Sequence, residues 1–178
     1  MIQPRVSHMI KIRKETGQDV PAIRTVNEKA FGQSNEADII EQLRKSCAPF
    51  LSLVAEQNDQ IIGHILFTPV TIETDKGTYQ GMGLAPMAVL PEHQNKGIGS
   101  SLINEGLKAI RSSGTAFVVV LGHPNYYPKF GFEPSSKYAI RCEWEVPEEA
   151  FMVLFFDPSK AKDICGIAKY RSEFADAM

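Results

Sequence analysis

Gln94, Gly97 and Gly99 stand in the run Gln-Asn-Lys-Gly-Ile-Gly. It follows an apolar stretch closed by Pro91 and precedes a helical period. Two glycines at a helix start let the backbone come close to a ligand. The unpaired N–H groups of the first turn and the positive end of the helix dipole then favour an anion such as phosphate. A Walker A loop needs Gly-Lys-Ser/Thr, and the chain holds no Gly-Lys pair. A dinucleotide fingerprint needs a third glycine at position 102, which is Leu102. Both common nucleotide readings fail. A second chemical group is Tyr127, in Tyr-Pro-Lys-Phe-Gly-Phe at 127–132. A phenol there can protonate a leaving group; the alternative is an aromatic packing residue. Its neighbour Tyr126 competes for either part.

No general base stands out. His64 lies on an apolar strand beside Ile62 and Leu66, as a hydrogen-bonded core histidine does. His123 ends a buried strand and is the better histidine for proton transfer or contact with a second substrate. Glu36 opens a helix, where the dipole by itself favours a carboxylate. A water chain is the remaining candidate. Glu56 and Glu73 read as solvated strand charges, and Lys96 and Lys129 as surface charges within reach of phosphates.

The elements that must position these groups follow from periodicity. Leu84 to Leu90 reads as a strand, and a helix from about Gly97 presents Ile98, Leu102, Ile103, Leu107 and Ile110 on one face. Ala116 to Leu121 is a continuous run typical of a strand covered on both faces, parallel to Leu84–Leu90. Upstream, Ile10 to Arg13 alternates as a first strand. Thr16, Asp19 and Pro21 open a helix carrying Val20, Ile23 and Val26, which Gly32 stops. A second helix after Ser34-Asn35 carries Ile39, Ile40 and Leu43. Leu51–Glu56 and Ile61–Thr68 form a hairpin about Asn58-Asp59-Gln60; Val70–Thr74 and Thr78–Met82 continue a meander about Asp75-Lys76-Gly77. Downstream, Asn125–Phe130 is a short helical turn, and Tyr138–Cys142 and Phe151–Phe156 are strands. The last stretch, with Gly166 and Tyr170, packs as a tail or pairs at a sheet edge. The order predicts an α+β fold, a mixed sheet with helices on both faces.

With 178 residues, one domain with a substantial core is expected over 9–178. Residues 1–8 form a tail, and Ser-His-Met at 7–9 has the form of a vector remnant. A net charge of −2 argues against nucleic acid or a polybasic membrane contact. The chain shows no membrane-span run and no signal-peptide pattern. Cys47, Cys142 and Cys165 are dispersed, which suits free thiols in a reducing cytoplasm and no metal site.

Gln-x-x-Gly-x-Gly between a strand and a helix resembles the acetyl-CoA pyrophosphate loop of the GNAT superfamily of N-acetyltransferases, and Tyr127 to Phe132 resembles that superfamily's Tyr-x-x-x-Gly-Phe element. Gly-His-Pro-Asn-Tyr-Tyr-Pro-Lys-Phe-Gly-Phe, Phe151 to Leu154 and the Gly-x-x-x-Tyr at 166–170 are similar to the YhbS-type bacterial branch, with Gly-His-Pro where Gly-Asp-Pro is usual. The resemblance implies a mostly antiparallel mixed sheet whose parallel strand pair splays apart. It implies acetyl-CoA as co-substrate, with Met87, Ala88 and Val89 offering backbone groups to pantetheine. Gln94, Asn95, Lys96, Gly97, Ile98, Gly99 and Ser100 would wrap the pyrophosphate. Tyr127 would take the family tyrosine's place near the thioester sulfur. The implied reaction is direct acetyl transfer to a primary amine, small or peptidic; the alternative is a non-catalytic acyl-CoA-binding module of the same fold. A homodimer is left open. The acidic run Glu143, Glu145, Glu148 and Glu149 reads as a solvated loop.

Overall fold

The computed structural model describes residues 9–46 and 50–177; the tail at 1–8 and Cys47 lie outside the described residues. Strand β1 (Lys11–Lys14) runs into a tight turn where the Asp19 carboxylate accepts from the Thr16 N–H at 2.7 Å and from its hydroxyl at 2.9 Å. Arg13 clasps the same carboxylate at 2.7 and 2.9 Å and also pairs with Glu56. Glu56 is therefore an ion-pair partner of the first strand, not the solvated charge expected of it. After a single 3-10 turn, α1 (Val20–Phe31) starts with Pro21 in its first turn and stops at Gly32. The next helix, α2 (Asn35–Ser46), lies against it, with Arg24 bridging to Asp38 and Glu41 at 2.8 Å each.

The meander is longer and simpler than its sequence suggests. After β2 (Leu51–Gln57), the chain turns through Asn58 and Asp59, both at positive φ, as a two-residue hairpin requires. It then runs as one strand, β3 (Gln60–Thr74), and returns as one strand, β4 (Gly77–Val89). The expected breaks near Pro69 and Met82 are absent. Pro69 is tolerated because β2 leaves β3 at Phe67 and the next neighbour on that edge begins at Thr71. Its missing N–H therefore interrupts no ladder on that side.

Residues 84–112 form the end of a strand, a loop and a helix, as their spacing predicts. Helix α3 (Ile98–Ser112) lies across the sheet face that carries Phe67, so closely that a Cβ on Gly106 would stand 2.3 Å from the Phe67 ring. The opposite face is covered by α1, whose Asn27 meets His64 of β3. Strand β5 (Phe117–Leu121) is parallel to β4, but only from Met82–Leu84 against Val118–Val120. The expected partner range, Leu84–Leu90, is where the two strands part. The cause is visible in the β3–β4 register. Ile65 faces Met87 but Phe67 faces Leu84, so β4 carries one extra residue at Ala85–Pro86. Such a bulge bends its strand and ends regular pairing.

The C-terminal third closes the sheet. Strand β6 (Glu133–Pro134) and β8 (Phe151–Phe155) extend it beyond β5, giving the order β1-β2-β3-β4-β5-β8-β6. Strand β7 (Ile140–Cys142) is shorter than expected. Tyr138 ends a 3-10 turn and Ala139 takes φ 54°, so pairing starts only at Ile140. The tail supplies β9 (Gly166–Lys169), antiparallel to Thr71–Glu73 of β3 and parallel to β7. It covers the length of β3 that β2 leaves bare, an edge otherwise open to other chains.

A buried polar chain ties these layers together. Asn27 Nδ2 donates to Ile23 O and to His64 Nδ1, so the imidazole proton lies on Nε2, which meets Ser52 Oγ at 2.9 Å. Ser52 donates to Glu15, and Arg44 holds that carboxylate with two bonds of 3.0 Å. Burial pushes the His64 imidazole down to about 4. An unfolded chain takes the proton near 6.5, so the unfolded state binds more protons between those values. Stability is accordingly full above about pH 6.5 and falls by up to ~3 kcal/mol as pH drops towards 4. Urea unfolding from pH 7.5 to 4.5 measures that slope; His64→Gln is expected to flatten it.

Candidate functional site

Beyond Leu84 and Val120 the two parallel strands enclose a cavity of about 830 Å³. One wall is β4 from Leu84 to Val89, and another is Leu121, Gly122 and His123 at the end of β5. The floor towards α3 is Gln94, Asn95, Gly97, Ile98, Gly99 and Ser100. Tyr126, Tyr127 and Lys129 close it, and Ala30, Phe31 and Glu36 line it from the α1–α2 side. The structure thus brings Met87, Ala88, Val89, the loop residues and Tyr127 around one space. Lys96 alone of the expected residues does not line it; its ammonium donates to Glu92 O at 2.7 Å, bracing the loop.

The loop presents its backbone. Gly97 caps α3 at φ 81°, a conformation that L side chains avoid, and Ser101 N–H closes the first helical turn on Gly97 O at 3.0 Å. The N–H groups of Ile98, Gly99 and Ser100 precede that bond and have no helical acceptor. Gln94 ties the loop to the strand, its Nε2 donating to Val89 O at 3.0 Å. Leu90 N–H donates to Ile62 O, towards β3. Alternation along the strand therefore turns the N–H groups of Val89 and Met87 the other way, into the fork.

Tyr127 is 7% exposed, its ring edge-on to Tyr126 and Phe132 at 5.2 and 5.7 Å. Burial raises its phenol to about 12, so it stays protonated at neutral pH. Gly122 makes room for it: a Cβ there would lie 2.4 Å from Tyr127 Cε2. Tyr126 is a different kind of residue. Its hydroxyl stands 3.5 Å from Ser100 Oγ and its ring carries the Lys129 ammonium at 3.9 Å.

His123 is exposed at the cavity rim, and Glu36 lines it with both carboxylate oxygens held by Gln33 Nε2 at 3.1 and 3.2 Å. His64 lies in the buried chain below and not in the cavity lining. Sequence reasoning singled out neither His93 nor Gly122. A glycine ending a buried strand five positions before the key tyrosine was the available signal for Gly122. Among the described residues, no group of three or more His, Cys, Asp or Glu side chains is placed to hold a metal ion, and no helix is long and apolar enough to cross a membrane.

Comparison with known proteins agrees with this geometry. A family model described as the acetyltransferase (GNAT) domain matches residues 11–135. The N-acetyltransferase YjhQ of Escherichia coli K12 is 41% identical over 134 residues, 74% of each chain. YhbS of the same strain is 33% identical over 164 residues, 92% of this chain and 97% of that one. The crystal structure of Escherichia coli YhbS in complex with CoA superposes with a TM-score of 0.88 at 31% identity, covering 98% of this chain and 96% of the other. A GNAT family acetyltransferase from Brucella melitensis in complex with acetyl-CoA gives 0.77 at 36% identity, covering 94% and 99%. The forked parallel pair, the loop at the head of α3 and the matched domain lead to one conclusion: this chain is a member of the GNAT family of acetyltransferases.

Proposed function

We propose that the chain transfers an acetyl group from acetyl-CoA to a primary amine by direct attack, with both substrates held in the strand fork. The observation that carries this reading is the fork itself. It joins a helix N-terminus able to take a diphosphate, a strand edge with free N–H groups and a protonated buried phenol in one cavity. Gln94, Asn95, Gly97, Ile98, Gly99 and Ser100 surround the pyrophosphate, largely with backbone donors, and Lys96 stiffens their loop. Met87 and Val89 pair with the pantetheine amides as a strand would, while Ala88 between them, opposite His64, turns its backbone to β3 and lines the cavity only.

The chemistry follows from these groups. The Val89 N–H faces the fork and polarises the thioester carbonyl as charge develops on its oxygen. The amine must arrive neutral, since an alkylammonium has no lone pair. Its nitrogen bonds to the carbonyl carbon, the carbon–sulfur bond breaks, and Tyr127 gives its proton to the departing thiolate. His123, Glu36 and water are the candidates to remove the amine's proton; the two side chains reach the cavity from different walls. The two substrates held side by side supply the entropic share of the rate. A reducing cytoplasm is the compartment that the dispersed thiols suit.

Calorimetry with acetyl-CoA, followed by free-thiol release over an amine panel, tests this. Micromolar binding with thiol release on at least one amine supports the transfer. Binding without release favours an acyl-CoA-binding module of the same fold. Absence of binding would remove the phosphate-loop assignment.

A further inference from the structure

The fork cavity carries its charge unevenly. The α3 side is electropositive. The first N–H groups of that helix lie there, and so does Lys129, whose ammonium stands 3.9 Å from the centre of the Tyr126 ring beside Ser100. That side suits the phosphates. Across the space, on the wall that α1 and α2 supply, stands Glu36. Among the described residues it is the one carboxylate in the lining; Lys129, His93 and His123 are the basic groups that share it.

Glu36 differs from its neighbours in lacking a counterion. Arg24 answers the other carboxylates of the helix pair, Glu28, Asp38 and Glu41, each at 2.8 Å. Among the described residues no basic side chain meets Glu36. The Gln33 amide nitrogen reaches both of its oxygens, at 3.1 and 3.2 Å, and fixes the group without neutralising it. An ionised carboxylate accepts at about four positions, so capacity is left for a ligand. The helix dipole explains a negative charge at the start of α2, but Asp38 supplies one from the same turn with its counterion in place. It does not explain an unpaired carboxylate on the wall of a substrate cavity. Phe31 stands on that wall too, 41% exposed. An aromatic face near a free carboxylate suits an alkylammonium: the ring takes its methylenes and part of its field, and the carboxylate takes its N–H bonds.

We propose that Glu36, with Phe31 on the same wall, binds a second positive charge on the acceptor. The proposal rests on the acetyl-transfer reading of the same fork. That charge is not the reacting nitrogen, which attacks only as the neutral amine. It is a separate ammonium that stays protonated through the reaction. The acceptor class is then a diamine or polyamine in preference to an amine with one nitrogen. Glu36 accordingly leaves the candidates for removing the amine's proton, and His123 and water remain.

The test compares diaminobutane, diaminopentane and diaminohexane with alkylamines of matching chain length, using thiol release by wild type, Glu36→Gln and Glu36→Lys. Wild type is expected to favour at least one diamine by ~10-fold or more in kcat/KM, beyond the statistical advantage of two equivalent nitrogens. Glu36→Gln should bring that ratio to within about threefold of one, through the KM of the diamine, and Glu36→Lys should take it lower still. Added salt should narrow the wild-type ratio and leave that of Glu36→Gln flat, as an ion pair requires. Acetyl-CoA affinity of Glu36→Gln within about twofold of wild type shows the cofactor half of the site intact. Equal or lesser use of the diamines by wild type, or a ratio unchanged in Glu36→Gln, overturns the proposal. So does an equal fall in kcat on both series with the ratio kept, which would make Glu36 the base. Failure of wild type to bind acetyl-CoA, or to release thiol on any amine of a wider panel, overturns the transfer reading instead, and this inference with it.

Discussion

Alanine at both Gly97 and Gly99 is expected to weaken acetyl-CoA binding by about 100-fold or more, or ~2.7 kcal/mol. The two positions fail for different reasons. Gly97 holds the left-handed conformation that starts α3, at φ 81°. A side chain there costs ~1–2 kcal/mol of backbone strain, relieved by turning the first N–H groups away from their target. Gly99 is helical and its limit is space: a Cβ would lie 3.0 Å from the Tyr126 hydroxyl. Alanine there pushes Tyr126 off Ser100 and disturbs the wall beside the pyrophosphate. Calorimetry gives the affinity, and thermal melting without ligand separates a damaged loop from a damaged fold. Affinity within twofold of wild type would show that this loop does not hold the phosphates.

Tyr127→Phe is expected to lower kcat by about 100-fold while leaving acetyl-CoA affinity nearly unchanged, the scale for losing a general acid. Phenylalanine keeps the ring in the slot Gly122 leaves and keeps the edge-on contacts with Tyr126 and Phe132. Only the proton donor goes. Burial holds that phenol near 12, so it is fully protonated at working pH and carries the proton when the thiolate departs. Single-turnover thiol release measures the step, and Tyr126→Phe serves as the control. Its hydroxyl stands beside Ser100 at 3.5 Å, and its loss should leave turnover within about threefold. Equal turnover in Tyr127→Phe would reduce Tyr127 to a packing residue.

Signals that act within a few residues were legible in the chain itself. The apolar stripe from Ile98 to Ile110, the Asn58-Asp59 turn, the stop at Gly32 and the glycines at 97 and 99 are each decided by local sterics and local hydrogen bonds. The order of these elements was enough to read the fold class, and the resemblance of the 94–99 loop and of Tyr127 to Phe132 to GNAT motifs is what implied a shared cofactor site. What the sequence did not disclose depends on which distant segments meet. The split of β4 from β5 at Leu84 comes from one extra residue opposite β3, which no periodicity in β4 reveals. Glu56 looked solvated because Arg13 reaches it only across the β1–β2 ladder. Tyr138 carried an apolar signal suited to a strand, but Ala139 turns the chain before pairing begins. The tail has no period of its own, because its strand exists to cover an edge that β2 leaves bare. Local preference names the elements; burial and backbone pairing across the chain choose their partners. That choice alone set the Tyr170 ring against Gly83 of β4.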